Sequence, residues 1–198
     1  MRRLRWYAIS ACLVLLVGAW LAFEQWQQAN QAHDLPPGGP ISLPSTQGEF
    51  TLSRLDDDQL AIIFFGYTWC PDVCPMSLAV VRQVRQGLPE EQRQRVVPVM
   101  ISVDPERDTL ARLETYLAAF GEDFIGARGS PARLEAIAER YDVVWRRHEA
   151  PDSGAGYTVD HTASLYLVNH RGEVLERVLH SPTPGPLETA VNRTLETL

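Results

Sequence analysis

The run Leu60-Ala61-Ile62-Ile63-Phe64-Phe65-Gly66 carries no polar side chain at either alternate set of positions. A strand of that composition has to be covered on both faces, which a sheet with one wetted side does not offer. Val96 to Ile101 repeats the pattern, and the run continues through Ser102 to Val103. Between the two runs, Pro71 and Pro75 mark the start of a helix that is predicted to reach about Leu88, because proline fits a helix's first turn. Two doubly covered strands joined through a helix point to a parallel sheet with helices packed on it.

The remaining elements extend this pattern. Ile41 to Leu55 reads as short strands around a Gln47-Gly48 turn. Asp108-Thr109 opens a helix running to about Phe120, with either residue as cap. Phe124-Ile125 is a short strand, and Ser130-Pro131 caps and starts a helix to about Tyr141. Val143 to Arg147 is extended, and Glu149 to Tyr157, rich in Gly, Ser and Asp, reads as a flexible loop. Ser164–Val168 and Glu173–Leu179 form a hairpin about His170-Arg171-Gly172, and Pro186 to Leu198 is a final helix. The expected class is α/β: a thioredoxin-like domain over residues 41–198, with a mixed central sheet flanked by helices.

The chain's first residues do not belong to that domain. Trp6 to Phe23 holds no charge, and Arg2, Arg3 and Arg5 precede it. Such a run just spans a bilayer core of roughly 30 Å, and the positive-inside rule leaves the N-terminus cytoplasmic. A cleaved signal peptide is the rival reading. The run is long for a signal core and no small-x-small site closes it, so a single transmembrane helix over residues 6–23 is expected, with residues 1–5 cytoplasmic. Cys12 lies within the apolar run, where it reads as a small apolar residue. Residues 24–40, with Gln25, Gln27, Gln28, Gln31 and then Pro36-Pro37-Gly38-Gly39-Pro40, form a polar tether. No Arg/Ser-rich transit stretch precedes the span, which places the expected domain in a bacterial periplasm on the inner membrane.

All 25 acidic residues lie beyond the apolar span, and all 18 basic residues are arginines. The acidic balance excludes a nucleic-acid partner and suits cations or a basic protein surface.

Directly after the first buried strand stand Cys70 and Cys74, two of only three cysteines. On a helix this spacing would put both thiols on one face. At a strand-to-helix junction the helix N-terminus stabilises a thiolate, so the pair can attack a disulfide or hold a soft metal. Two thiolates and one imidazole make a three-coordinate set suited to Cu(I), whereas structural zinc wants a fourth ligand. His161, just before the apolar run Ala163 to Val168, is the candidate imidazole. Spacing alone would leave it an ordinary loop histidine hydrogen-bonded to its surroundings. His33, His148, His170 and His180 lie in polar or turn-like settings, Asp72 reads as a solvated or helix-start carboxylate, and Met76 and Met100 as core.

Four ordered blocks carry a resemblance: Gly66-Tyr67-Thr68-Trp69-Cys70-Pro71-Asp72-Val73-Cys74-Pro75, Ser102-Val103-Asp104-Pro105-Glu106-Arg107-Asp108-Thr109, Phe124-Ile125-Gly126, and Val159-Asp160-His161-Thr162-Ala163. Together they are similar to the Sco/SenC family. Trp69 stands where histidine is common and Thr162 where serine is common. The resemblance implies one copper ion per chain held by Cys70, Cys74 and His161. It also implies a metallochaperone that delivers copper to the binuclear copper site of a cytochrome c oxidase subunit. The alternative is a thiol–disulfide reductase acting on that subunit through Cys70 and Cys74. A separate thiol reductant and a copper donor are implied as partners, because the pair must be reduced to take up metal.

Overall fold

The computed structural model describes residues 17–20, 35–151 and 154–198. The chain separates into two compact units, Met1–Leu35 and Pro36–Leu198. In the first unit, residues 17–20 are helical and exposed. The rest of the predicted span 6–23, the predicted cytoplasmic residues 1–5 and residues 24–34 of the predicted tether lie outside the described residues. Among the described residues, no helix is long and apolar enough to cross a membrane.

The second unit runs β1 (Ser42–Ser45), β2 (Gly48–Thr51), β3 (Leu60–Gly66), α1 (Val73–Gly87), α2 (Glu90–Arg95), β4 (Val96–Ser102), α3 (Leu110–Leu117), β5 (Ile125–Ala127), α4 (Pro131–Tyr141), β6 (Trp145–Ala150), β7 (Gly156–His161), β8 (Ser164–Val168), β9 (Val174–Leu179) and α5 (Gly185–Thr197). Seven strands form one sheet in the order β2-β1-β5-β4-β3-β8-β9. Pairing is parallel between β3 and β4 and between β4 and β5, and antiparallel elsewhere. The mixed central sheet with flanking helices is thus present, and every residue of β3 is buried as the apolar run demands.

Side-chain pattern explains the packing. α1 buries Cys74, Ser77, Leu78, Val81 and Val84, positions that recur at three- and four-residue steps on one face. Tyr166 packs edge to face on both Phe65 and Tyr141, at 5.9 Å between centroids in each case. Thr109 caps α3 by accepting the Arg112 N–H at 3.1 Å. Pro36 to Pro40 lies against the domain: the Gly39 N–H donates to the Gly172 carbonyl at 2.8 Å, and the Tyr141 hydroxyl donates to the Gly39 carbonyl at 2.7 Å. At Gly172 a Cβ would meet that Gly39 carbonyl oxygen at 2.4 Å, so the close approach requires glycine.

Three local expectations are corrected. The helix carrying Cys74 begins at Val73, so Cys70 sits in the preceding loop and shares no helix face with it. Part of the predicted loop Glu149 to Tyr157 is strand: β6 and β7 pair antiparallel from Trp145↔His161 to Ala150↔Gly156, apart from the main sheet. The polar helix α2, none of whose residues is buried, escaped the periodicity reading because no apolar stripe marks it.

Candidate metal centre

The site is assembled where β3 ends. At Gly66 an added Cβ would meet the Phe64 ring at 2.5 Å and Cys74 Sγ at 3.0 Å, so the strand can pass this close to the sulfur only as glycine. The chain then turns, the Cys70 N–H donating to the Tyr67 carbonyl at 3.3 Å. Asp72 occupies the cap position of α1, yet its side chain makes no cap bond. Cys70 supplies the acceptor instead: its Sγ receives the Cys74 N–H at 3.4 Å. A sulfur in the place of a capping oxygen feels both the N–H and the positive end of the helix dipole.

His161 closes the other side. It is the last residue of β7, and Nε2 stands 3.3 Å from Cys74 Sγ across 87 positions of sequence. Nδ1 lies 3.1 Å from the Thr162 carbonyl oxygen, which can only accept a hydrogen bond. That contact selects the Nδ1–H tautomer and leaves the Nε2 lone pair turned to the sulfurs. Phe64 and Tyr67 present edge-on contacts to the imidazole, each at 5.9 Å between centroids, and restrict its rotation.

The two sulfurs and the imidazole nitrogen all lie within 4.8 Å of one another. Metal–sulfur and metal–nitrogen bonds of about 2.3 and 2.0 Å would place the donors of a three-coordinate ion roughly 3.7–4.0 Å apart. The cluster therefore fits a three-coordinate ion with small adjustments. Both cysteines are free thiols. Cys70 is half-buried and ionises far below its ordinary range, at about 3, chiefly because the Cys74 thiol donates to it; the N–H groups of Cys74 and Asp72 add to this against the cost of burial. Cys74 is pushed upward by the same hydrogen bond and by deeper burial. The pair thus holds one proton between two sulfurs, and a metal ion bound by both would displace it.

The structure brings together the predicted residues Cys70, Cys74 and His161. His148 is exposed and pairs with Asp160 at 3.0 Å, and His170 approaches Asp57 at 3.6 Å. His180, expected on the surface, is partly covered, with Nδ1 2.9 Å from the Ser77 hydroxyl on α1. His33 lies outside the described residues. Met100 is fully buried, and Asp72 is exposed. On the outer side of His161, a cavity of about 500 Å³ is lined by Val144, Trp145, Arg146, His148, Asp160 and Thr162. The residues that sequence reasoning did not assign are those supporting the ligands: Thr68, Asp104, Arg107 and Asp108. Their signal was the dense charge of Asp104-Pro105-Glu106-Arg107-Asp108 immediately after a buried strand, a place where a solvated loop needs no such set.

Comparison with known proteins places this arrangement. The sequence profile of the SCO1/SenC family matches residues 29–196. Protein SCO1 homolog 1, mitochondrial, of Arabidopsis thaliana is 37% identical over 132 residues, which cover 67% of this chain and 39% of that protein. The SCO2-like protein RC0895 of Rickettsia conorii is 31% identical over 147 residues, 74% of this chain and 71% of that protein. Among solved structures, Bradyrhizobium japonicum ScoI with copper bound is 35% identical with a TM-score of 0.68, covering 79% of this chain and 98% of that one. Arabidopsis thaliana ScoI with copper bound is 31% identical with a TM-score of 0.72, covering 82% of this chain and 99% of that one.

Proposed function

This chain belongs to the SCO1/SenC family, and from that premise we propose that it is a copper-carrying assembly factor, holding one copper ion between Cys70, Cys74 and His161 and passing it to the binuclear copper site of a cytochrome c oxidase subunit. The observation that carries the reading is the sulfur–sulfur–imidazole group, all three donors within 4.8 Å. Thiolates suit Cu(I) and zinc and imidazole suits both metals, but a set of three donors favours Cu(I) over four-coordinate structural zinc. Two relatives with 31% and 35% identity have structures with copper bound. A more distant one, BsSco, is described as a member of the Sco family of cytochrome c oxidase assembly proteins.

In this reading the Cys70 thiolate meets the incoming ion first, being half-buried and already ionised at neutral pH. Cys74 then gives up the shared proton, and the Nε2 lone pair of His161 completes the set. The cavity beside His161 gives a partner an approach to the imidazole, and release starts by its displacement. The proposed setting is a single-pass inner-membrane protein: residues 6–23 anchor it, residues 24–35 tether it, and the domain, which takes in residues 36–40 of the expected tether, faces the periplasm. The copper donor and a thiol reductant act there as partners.

Anaerobic Cu(I) titration of the wild type beside Cys70→Ser, Cys74→Ser and His161→Ala tests the assignment. One ion per wild-type chain is expected, with much weaker binding in each variant. Binding by His161→Ala as tight as wild type would refute the ligand set.

The second reading, reduction of the oxidase subunit's disulfide, draws on the ionised Cys70. Its thiolate would attack one sulfur of the target disulfide, forming a mixed disulfide and releasing the other sulfur. Cys74 would then lose its proton, attack Cys70 and close a Cys70–Cys74 disulfide, leaving the target as a dithiol. Turnover with a model disulfide that survives His161→Ala would favour this reading over copper delivery.

A further inference from the structure

The main sheet brings the two donor-bearing pieces near each other through the β3–β8 pair Phe64↔Leu165, but its ladder extends over neither of them. His161 rides on the separate β6–β7 hairpin, Cys70 on the loop after β3 and Cys74 in the first turn of α1. Something must fix the hairpin on that loop. Period-two alternation turns Tyr157, Val159 and His161 to one face of β7; Val159 is buried there, while Asp160 on the other face is exposed.

Arg107 meets this face. Its Nη1 donates to the Ala155 and Tyr157 carbonyls at 2.8 and 2.9 Å, and Nε donates to Asp104 Oδ2 at 2.5 Å. The guanidinium carbon lies 3.4 Å from the centre of the Tyr157 ring, whose hydroxyl returns to Asp104 Oδ1 at 2.7 Å. On the side of the cysteine loop, the same guanidinium stands 5.8 Å from the Tyr67 ring and 5.7 Å from the Trp69 ring. Arg107 and Asp104 are largely buried, with side chains 15% and 4% exposed. One side chain thus touches both ligand-bearing pieces, with its charge balanced by a carboxylate that itself grips the hairpin. Tyr157 is four residues before His161, about 13 Å along a strand, so a tilt at the Arg107 end displaces the imidazole.

We propose that Arg107 is a positioning residue for the metal centre: it seats β7 on the cysteine loop and so sets the distance from His161 Nε2 to the two sulfurs. The proposal rests on His161 being a ligand. Lysine could not replace it, since a single ammonium cannot bind Asp104 and two carbonyls in a planar fork.

The test is a double-mutant cycle on the full chain, with Cu(I) affinity read by competition with a chromophoric chelator. Arg107→Met is expected to lower affinity roughly tenfold, the scale of a lost support to a ligand, and Arg107→Lys not to restore it. Arg107→Met added to His161→Ala is expected to cost nothing further. A metal-free readout accompanies it: the Val159 amide exchanges faster in Arg107→Met, while the Thr68 amide and the alkylation rate of Cys70 stay at wild-type values. Tyr157→Phe, which removes the hydroxyl that donates to Asp104, is expected to move affinity and Val159 exchange in the same direction by less, and it keeps the test open if the methionine variant does not fold. Unchanged affinity in Arg107→Met, or the same fold-loss with and without His161, would overturn the proposal while leaving the ligand set standing. His161→Ala binding as wild type would overturn the ligand set and the proposal together.

Discussion

Asp108 holds Thr68 across 40 positions of sequence: Oδ2 accepts the Thr68 N–H at 3.0 Å and Oδ1 the Thr68 hydroxyl at 2.5 Å. Ser102 donates a third hydrogen bond to Oδ2 at 2.7 Å, and the carboxylate has no exposed surface. Through Thr68 this buried carboxylate fixes the backbone two residues before Cys70. Asp108→Ala would leave a buried N–H and hydroxyls without an acceptor, at a cost of about 3 kcal/mol. Chemical denaturation of the variant beside wild type measures it. A loss below about 0.5 kcal/mol, within the range of neutral surface changes, would show that the carboxylate does not hold the loop.

The ionisation of Cys70 makes a pH prediction. Its folded value, about 3, lies below the ordinary 9.0, so the fold favours the thiolate. The associated stabilisation is complete above pH 9.0 and fades as pH falls toward about 3. Alkylation of Cys70 should accordingly change little between about pH 8 and about pH 5, where an ordinary thiol slows about tenfold per unit. Cys74, pushed the other way, should stay unlabelled. Because Cys74 is the largest cause of the shift, Cys74→Ala should raise the Cys70 value more than His161→Ala does. An alkylation rate that falls tenfold per unit in the wild type would contradict the shared-proton description.

Gly66→Ala probes the approach of β3 to the sulfur. The new methyl would meet the Phe64 ring at 2.5 Å and Cys74 Sγ at 3.0 Å. Overpacking of this kind costs about 1–3 kcal/mol, and here the strain falls on a proposed ligand. A lowered melting temperature together with weaker Cu(I) binding is expected. Weaker stability with wild-type copper affinity would show that the sulfur does not move.

Tyr67→Phe isolates a single hydrogen bond. The Tyr67 hydroxyl accepts the Val159 N–H at 3.2 Å, in buried surroundings, while its ring stands edge-on to His161. Phenylalanine keeps the ring and strands the N–H, a cost of about 1–2 kcal/mol. Hydrogen exchange at Val159 should quicken while the rest of β7 is less affected. Unchanged protection would mean that the hairpin is held by Arg107 without help from Tyr67.

The main sheet was legible because burial writes itself into composition. Leu60–Gly66 and Val96–Ser102 are apolar on both faces and lie at the sheet centre, and Thr109 and Ser130-Pro131 mark the helix starts they were expected to mark. Cys70 and Cys74 were legible as a pair, though not their local geometry: a spacing of four is compatible with a helix face and with a loop-to-helix corner alike. The hairpin was legible only in part: an extended run was expected to end at Arg147, and its partner strand was not expected. The strand Trp145–Ala150 is mostly exposed, with Arg146, Arg147, His148 and Glu149 in succession, so no alternation distinguishes it from a loop. Its stability comes from pairing with β7 and from the guanidinium stack on Tyr157, which are contacts between distant residues.

The main-sheet strands, the helices packed on them and the two thiols at a strand-to-helix junction follow from residue types and short spacings, because hydrophobic periodicity and turn chemistry act within a few residues, whereas His161 stood out only through the resemblance of Val159 to Ala163. That Cys70 caps the helix with its sulfur, that His161 presents Nε2 to the thiols, and that Asp108 and Arg107 brace the two halves was decided by the tertiary structure alone. All but the first of those relations join residues 40 to 87 positions apart, and no local pattern encodes a distance that only the closed sheet and the docked hairpin create.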